Sequence, residues 1–351
     1  MKLIFFMVND RTLKIMIKKI KTKNILLVGG ADYVGSSLME SYYENKLIKK
    51  INCLDWLIYK NQKKDSKIFK NKKYNFFYGD LRDRSILNKS LKNITDVIIL
   101  AGLVGDPITR KYKKLSEEIN YKGIKNLIDF LKIKKNVDKV IFISTCSNYG
   151  IVKGKKANEK TKLSPQSSYA VSKVKIEKHI LKLKKTKICP TILRFSTAFG
   201  YAPRMRYDLT INEFCRIAHK EKSLVVYDPF TWRPYCHVKD FARILLKVLK
   251  SKNEKVKNEV FNVGSDKLNY QKIDIVKLIQ KQKNFKTEYL EKKVDPRNYR
   301  VDFSKLRRVL KITPKYTAEY GIKEIIQKLK DKNLKINKKD HGNYIIKQYV
   351  K

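Results

Sequence analysis

Short runs of apolar residues alternate with amphipathic stretches through the first half of the chain. The apolar runs cover residues 25–28, 51–54, 75–78, 97–100, 140–144 and 188–195. Stretches with helical periodicity lie between them, near residues 34–46, 84–92, 112–133 and 168–185. Apolar strands that alternate with helices are typical of a parallel sheet covered on both faces. The pattern therefore predicts an α/β fold with a Rossmann-like, doubly wound parallel sheet.

The alternation changes after residue 195, where we expect a smaller, interleaved C-terminal lobe. The pattern there predicts a helix beginning at Asp208, a strand over 224–227, a loop over 230–238, a helix from Lys239 to Leu249 and a strand over 259–264. No linker rich in Pro, Gly or Ser separates the halves, so the lobes should share one interface. We predict a poorly ordered N-terminal extension over 1–22 and a basic tail over 336–351. Between them we predict a first domain over 23–195, with 237–264 interleaved, and a second lobe over 196–236 and 265–335.

The chain has 351 residues and a formal net charge of +48. A charge of this size suggests nucleic acid or another anionic partner. The lysines are, however, spread over nearly every polar helix face, and no nucleic-acid-binding motif or local basic patch accompanies them. This distribution indicates a general compositional bias. We therefore expect no nucleic-acid partner, although the charge would attract anionic substrates such as nucleotide phosphates.

No apolar run reaches the roughly 18 residues that a membrane-spanning helix needs. The N-terminal run LIFFMV ends at Asn9-Asp10-Arg11 and lacks a signal-peptide cleavage site. The five cysteines are scattered, without a C-x-x-C pair or a metal-ligand spacing to the four histidines. These features predict a cytoplasmic protein with free thiols, no membrane partner and no metal site.

A glycine-rich turn follows the first predicted strand, in NILLVGGADYVG over residues 24–35. Gly29, Asp32 and Gly35 match a dinucleotide-binding spacing whose middle glycine is replaced by aspartate, and Tyr33 and Val34 begin a helix. Such a turn places a pyrophosphate at the helix N-terminus, although an ordinary helix cap is an alternative for the turn by itself. Asp55, twenty residues past Gly35 at the end of the second strand, would bond a ribose 2′-hydroxyl and thus favours NAD over NADP.

Asp32 adds a carboxylate where the backbone should approach an anion. Aspartate tolerates left-handed backbone better than most residues, so we expect the turn to persist. The electrostatic penalty remains, and we expect weaker NAD binding than a glycine would give.

A second signal is the pair Tyr169 and Lys173 at the start of a predicted helix. Four-residue spacing puts both side chains on one helix face, where the ammonium would lower the pKa of the phenol. The spacing alone is weak in a chain with 21 tyrosines. Its place along the chain is more specific, because Thr145 ends the fifth strand about twenty residues earlier, at the sheet edge where ligands bind.

These features together resemble the extended short-chain dehydrogenase/reductases, the NAD-dependent nucleotide-sugar epimerase/dehydratase family. The resemblance covers about residues 23–330 and rests on VGGADYVGSSL, Asp55, GDLRD, LAGLVGDP, Asn120, STCSNYG, YAVSK, LRFSTAFG and WRPYCHVKD. It implies that Tyr169 is the catalytic base and acid, that Lys173 lowers the pKa of Tyr169 and contacts the nicotinamide ribose, and that Thr145 bonds the substrate oxygen. It also implies cofactor contacts from Asp80 and Leu81 at the adenine, from Ala101 and Gly102 along the cofactor, and support from Asn120.

The resemblance further implies a nucleotide-diphosphate sugar as the substrate of the second lobe. Arg233 resembles a diphosphate ligand, and Arg297 resembles its partner, although a solvated arginine fits Arg297 equally well. Arg204 and Arg206 are further candidates. Thr197 stands where many epimerases carry an asparagine that touches the sugar nucleotide. The family also suggests a homodimer, formed through the helices near 112–133 and 168–185.

The residues after Thr145 bear on the reaction. The family's dehydratases place an Asp-Glu pair there, whereas this chain has Cys146-Ser147, and neither is a strong acid or base at neutral pH. We therefore favour a 4-epimerase. Residues 197–214 and 295–306 resemble a branch of the family that makes unusual bacterial sugars, which implies a role in surface polysaccharide synthesis. A 4-dehydrogenase that releases the keto sugar is the close alternative, and a 4,6-dehydratase is less favoured. A non-catalytic nucleotide-sugar binder and a nucleic-acid binder are alternatives of other classes.

Overall fold

The computed structural model describes residues 22–59, 71–183, 186–221, 223–292, 297–331 and 342–346. Its strands are β1 (Lys23–Val28), β2 (Ile48–Asp55), β3 (Tyr74–Tyr78), β4 (Asp96–Ile99), β5 (Lys139–Thr145), β6 (Ile151–Ala157), β7 (Cys189–Phe195), β8 (Thr197–Phe199), β9 (Ser223–Tyr227), β10 (Trp232–His237), β11 (Glu259–Val263), β12 (Asn269–Gln271), β13 (Lys286–Leu290) and β14 (Asn298–Val301). Its α-helices are α1 (Tyr33–Tyr42), α2 (Arg84–Ser90), α3 (Asp106–Lys111), α4 (Lys113–Glu117), α5 (Ile124–Leu131), α6 (Ser168–Leu181), α7 (Thr210–Lys220), α8 (Val238–Lys250), α9 (Lys272–Gln280), α10 (Ser304–Leu310) and α11 (Ala318–Leu329). The predicted extension over 1–22 lies outside these residues, apart from residue 22.

Seven strands form one parallel sheet in the order β11-β7-β5-β4-β1-β2-β3. The chain runs outward from β1 through β2 and β3, and then returns to β4 on the other side of β1. The carboxyl ends of β1 and β4 thus border the crevice where doubly wound sheets bind ligands. This topology confirms the predicted α/β, Rossmann-like fold.

Both faces of the sheet are buried. Ile25 and Leu27 of β1 point into one hydrophobic cluster, whereas Leu26 and Val28 point into a second cluster on the opposite face. Successive side chains of a strand alternate between faces, so four consecutive apolar residues are needed to fill both layers. This explains why the main-sheet strands are continuous apolar runs in the sequence.

The smaller lobe is built from β8, β10 and β12, with β9 paired to β13 and β6 paired to β14. The prediction of a loop over 230–238 is wrong, because β10 occupies most of that segment and pairs with β8 and β12. Five of its six residues are buried, which leaves no alternation of apolar and polar positions to indicate a strand. In contrast, β11 belongs to the main sheet and lies beside β7.

The helix predicted near 112–133 is broken into shorter segments. It comprises α4, a π-helical turn over Glu118–Gly123 and α5, and the short helix α3 precedes it. The widened turn carries Asn120, which is fully buried and points towards the loop after β4. π-Helical turns are frequent at functional sites.

Part of the predicted basic tail packs onto the first domain. Ile346 is fully buried and forms an antiparallel bridge with Tyr59, beyond the end of β2. Asn343 is 3% exposed. Among the residues whose structure is described, no helix is both long and apolar enough to span a membrane, and no group of His, Cys, Asp and Glu could hold a metal ion.

Candidate active site

Two adjoining cavities open at the carboxyl edge of the main sheet. The predicted cofactor residues that line the smaller one are Gly29, Asp32, Asp55, Asp80, Leu81, Ala101 and Gly102. The larger one has a volume of about 340 Å³. Its lining includes the predicted residues Tyr33, Val34, Gly35, Thr145, Tyr169, Lys173, Thr197, Arg206, Arg233 and Arg297. Gly29 and Asp32 line both cavities, so together the cavities form one crevice.

The glycine turn admits no side chains at two positions. Gly29 has a φ of +81°, and a Cβ there would lie 2.6 Å from the Cα of Ala101. A Cβ on Gly35 would collide with the backbone of Gly30. Helix α1 begins directly after this turn and presents Tyr33 and Val34 to the larger cavity. A bare backbone at a helix N-terminus suits the pyrophosphate of a dinucleotide, so these residues fit NAD.

Asp32 differs from its predicted conformation. Its φ is −91°, so its backbone is extended rather than left-handed, and its carboxylate caps α1 by accepting from the backbone N–H of Tyr33 at 2.6 Å. The same carboxylate pairs with Arg204 Nη1 at 2.5 Å. Arg204 therefore neutralises the charge of Asp32 beside the glycine turn. The sequence had suggested Arg204 as a ligand of the nucleotide sugar. This ion pair offsets the electrostatic penalty expected for Asp32.

Asp55 is the last residue of β2, and it lines the smaller cavity. It accepts hydrogen bonds from the backbone N–H groups of Ala31 and Leu57, each at 2.8 Å. Burial raises the pKa of Asp55 to about 6 and outweighs these two hydrogen bonds, which lower it. Asp80, further along the cavity, is paired with Arg82 at 2.6 Å.

Asn120 acts on the crevice through the backbone of the loop after β4. Its Oδ1 accepts from the N–H of Leu103 at 2.7 Å, and its Nδ2 donates to the carbonyl of Leu103 at 3.0 Å. Gly102 packs against it, since a Cβ there would lie 2.9 Å from Asn120 Oδ1. The amide thus fixes the stretch that contains Ala101 and Gly102.

Thr145, Tyr169 and Lys173 meet at the larger cavity. Thr145 is the last residue of β5, and its hydroxyl accepts from the backbone N–H of Ser147 at 3.1 Å. Tyr169 and Lys173 lie one turn apart on α6, with Lys173 Nζ 5.7 Å from the centre of the tyrosine ring. Lys173 Nζ also donates to the carbonyl of Ile143 at 2.8 Å.

The pKa of Tyr169 is raised, not lowered as the sequence predicted. Burial is the largest influence; the cationic Arg206 and Arg297 oppose it, and the anionic Asp106 adds to it. Burial also lowers the pKa of Lys173 to about 7, against the opposing charge of Glu177. The physical reason for the error is desolvation, which penalises both charged forms and cannot be read from a four-residue spacing.

A buried ion pair behind Thr145 was missed by the sequence argument. Glu177, one turn after Lys173 on α6, is paired with Arg194 of β7 at 2.6 Å, and both side chains are almost fully buried. Glu177 also accepts from the hydroxyl of Ser144 and, at 2.9 Å, from the amide of Asn148. The regular spacing of Tyr169, Lys173 and Glu177 on one helix face is the signal that could have found it.

Three of the arginines predicted for the substrate, Arg206, Arg233 and Arg297, line the larger cavity. Arg233 Nη1 donates to the carbonyls of Trp232, at 2.8 Å, and of Arg297. The guanidinium of Arg233 therefore contacts the backbone of Arg297. Arg297 pairs with Asp106 at 3.2 Å. Arg206 is held at 2.5 Å by Asp208, a carboxylate that the sequence argument also missed.

The two residues after Thr145 have little acid-base capacity. Cys146 is buried, its thiol donates to the carbonyl of Arg194 at 3.2 Å, and burial raises its pKa to about 12. Ser147 lines the larger cavity and accepts from the hydroxyl of Tyr299 at 3.3 Å. A neutral thiol and a serine offer no replacement for a carboxylic acid pair.

The sequence and the fold are both similar to those of known proteins. The model of the NAD dependent epimerase/dehydratase family matches residues 25–264. The dTDP-glucose 4,6-dehydratase of Neisseria gonorrhoeae is 26% identical, over 87% of this chain and 95% of that protein. The UDP-N-acetyl-alpha-D-glucosaminuronate decarboxylase of Bacillus cytotoxicus is 28% identical, over 87% of this chain and 97% of that protein.

A solved structure is similar over nearly its whole length. The UDP-glucuronic acid 4-epimerase from Bacillus cereus, in complex with UDP-glucuronic acid and NAD, superposes with a TM-score of 0.78 at 25% identity. The match covers 88% of this chain and 99% of that one.

Proposed function

The chain belongs to the NAD-dependent epimerase/dehydratase family, and we propose that it is a nucleotide-sugar 4-epimerase. One observation carries the proposal. Thr145, Tyr169 and Lys173 share a single cavity with Arg233 and Arg297, and this cavity is continuous with the glycine turn. A redox site, a diphosphate-binding end and a dinucleotide turn are thereby joined in one crevice.

NAD is the cofactor of this family, and the residues of the crevice fit it. The glycine turn and the start of α1 would hold the pyrophosphate, Asp55 the adenosine ribose, and Asp80 and Leu81 the adenine. Lys173 would contact the nicotinamide ribose. The chemistry that bound NAD supplies is the removal and return of a hydride at the sugar carbon.

The protein's own residues handle the proton and the substrate. Tyr169 takes the proton of the sugar 4-hydroxyl and later returns it, while Thr145 bonds the same oxygen and orients it. Arg206 and Arg297 oppose the effect of burial on the pKa of Tyr169, and so favour the phenolate that this step needs. The carboxylate of Asp106 acts in the opposite direction.

The substrate in this proposal is a nucleotide-diphosphate sugar. Arg233 and Arg297 line the same cavity, and two guanidinium groups suit a diphosphate because each can donate two hydrogen bonds. Thr197 lies in the same cavity and would face the sugar nucleotide. The product would serve bacterial surface polysaccharide synthesis in the cytoplasm, and the enzyme would act as a homodimer.

A 4-dehydrogenase would use the same first step and then release the keto sugar. A 4,6-dehydratase is less favoured, because Cys146 is buried and neutral and Ser147 is a weak acid.

The experiment that separates these outcomes uses nucleotide hexoses carrying deuterium at carbon 4. The proposal expects the 4-epimer to form with the deuterium retained at carbon 4, and without accumulation of reduced nicotinamide. Release of a 4-keto sugar without deuterium, together with one equivalent of reduced nicotinamide that carries the deuterium, would instead establish a dehydrogenase. Binding of NAD and nucleotide sugar without any turnover would establish a non-catalytic binder.

A further inference from the structure

Residues 342–346 lie across the junction of the two cavities. They follow the region matched by the family model, which ends at residue 264. Ile346 anchors the segment by its buried side chain and its bridge to Tyr59. The hydroxyl of Tyr59 in turn accepts from the backbone N–H of Val104, in the loop after β4, at 3.0 Å. The segment is thus tied to the strand edges that border the crevice.

Asn343 connects three separate parts of the crevice. Its Oδ1 accepts from Arg204 Nη2 at 2.8 Å, and its Nδ2 donates to Asp32 at 3.3 Å. A longer contact of 3.5 Å runs from Nδ2 to the carbonyl of Val104. Its backbone N–H lies 3.5 Å from the carboxylate of Asp208. The side chain is almost fully buried but still lines the larger cavity.

The position of Asn343 matches a particular part of a dinucleotide. Asp32 lines both cavities, so it marks their junction. A dinucleotide that places adenosine in the smaller cavity and nicotinamide near Tyr169 must set its pyrophosphate at this junction. The carboxylate of Asp32 would repel that anion, but Arg204 neutralises it and Asn343 adds an amide that can donate.

We infer that Asn343 is a dinucleotide-binding residue, whose side-chain amide donates to the pyrophosphate of the cofactor. Arg204 donates to the amide oxygen, and Asp32 accepts from one amide N–H. The second amide N–H has only its long contact to the carbonyl of Val104 and can turn to the anion. The Asp32, Arg204 and Asn343 cluster would thereby replace the close backbone approach that a glycine at position 32 allows. This inference rests on the NAD dependence in the proposed function.

The test compares ligands with and without the pyrophosphate. In Asn343→Ala, affinity for NAD and for ADP-ribose should fall roughly tenfold, which corresponds to about 1.4 kcal/mol and is close to the lower end of the range for a hydrogen bond to a charged group. Affinity for adenosine should not change. Calorimetry gives the affinities, and the fluorescence of Trp56, which lines the smaller cavity, gives an independent signal. Ile345→Ala, on the same segment, serves as a control and should alter NAD affinity by no more than about twofold.

Three results would contradict the inference. The first is an unchanged NAD affinity in Asn343→Ala. The second is an increased NAD affinity, which would show that the segment competes with the dinucleotide. The third is a parallel loss of adenosine affinity, which would show that the segment only packs against the fold. Failure of the unaltered protein to bind NAD would overturn the proposed function itself and is measured separately.

Discussion

Individual side chains in the crevice have environments that their sequence neighbours do not reveal. Asp32 and Arg204 are 172 positions apart, so no local pattern could indicate that the aspartate in the glycine turn is neutralised. The fold supplies the partner by bringing the loop before α7 against α1. The sequence showed that an aspartate stands in the glycine turn, but it did not show that Arg204 neutralises the charge of this aspartate.

Asp55 should make cofactor selectivity depend on pH. Burial raises the pKa of its carboxyl group to about 6, above its ordinary range, so the group becomes neutral as the pH falls through that value. The neutral form repels a 2′-phosphate less and accepts a ribose hydroxyl more weakly. We expect the preference for NAD over NADP to fall roughly tenfold between about pH 7.5 and pH 5. Binding titrations of both cofactors across this range provide the measurement.

Asp55→Asn is the matched control, because it removes the titrating group and keeps its shape. The variant should show a weak preference that does not change with pH. A strong preference for NAD that stays constant in the unaltered protein would show that Asp55 is not the selecting group.

The meeting of Thr145, Tyr169 and Lys173 at one cavity was predictable, because Thr145 and Tyr169 lie at element boundaries and Lys173 follows Tyr169 by one helical turn. Thr145 ends an apolar strand and Tyr169 begins a helix about twenty residues later. Asp106 and Asp208 were missed, since a single carboxylate in a loop or short helix carries no pattern. The partner of Asp106 is Arg297, which is distant in sequence. The partner of Asp208 is Arg206, which is close in sequence, but only the folded cavity shows that the pair faces a ligand site.

The ion pair between Glu177 and Arg194 links α6 to β7 in the protein interior. Glu177→Gln should leave Arg194 without its counter-charge, and breaking such a pair typically costs about 3–5 kcal/mol of unfolding free energy. It also removes the charge that opposes the effect of burial on Lys173, whose pKa is about 7, so the pKa of Lys173 should fall further. A lower pKa means that Lys173 loses its charge at a lower pH. The pH at which the rate falls on the alkaline side of the profile should therefore decrease. Thermal unfolding and pH-rate profiles measure the two effects.

Glu259→Gln provides a control at a comparable but more exposed ion pair, formed with Lys305 at 2.6 Å. It should change stability by less than about 1 kcal/mol and leave the pH profile unaltered. Glu177→Asp keeps the charge and guards against a variant that fails to fold. Equal pH profiles for Glu177→Gln and the unaltered protein would show that the charge of Glu177 does not act on Lys173.

Elements of the main sheet were more predictable than those of the smaller lobe. Strands such as β1 are buried on both faces and therefore appear as uninterrupted apolar runs. The strand β10 was missed because it contains Pro234 and charged residues, and its pairing with β8 and β12 depends on segments distant in sequence. The packing of residues 342–346 was missed for the same reason, since a segment of five residues is too short to show periodicity.

The net charge of the whole molecule should influence how fast substrates arrive. A charge of +48 attracts a nucleotide sugar, which carries two negative charges on its diphosphate, and salt screens this attraction. We expect the association rate of the nucleotide sugar to fall on the order of tenfold between about 0.01 M and 0.15 M salt. Stopped-flow binding measures this rate, with uncharged adenosine as a control whose rate stays constant.

The same titration bears on a nucleic-acid role. Salt-dependent binding of random DNA, with no affinity for a nucleotide sugar at any salt concentration, would contradict the proposed enzyme and favour that alternative.

The central claim is that the whole crevice serves a proton transfer by Tyr169 to and from a sugar hydroxyl. The most direct measurement is the turnover of Tyr169→Phe on the accepted nucleotide sugar, beside Tyr289→Phe on the exposed side of β13. We predict that kcat of Tyr169→Phe falls by about 10²–10⁴, the usual contribution of a general base, while NAD affinity stays nearly the same and Tyr289→Phe is fully active. Undiminished turnover by Tyr169→Phe would contradict the claim.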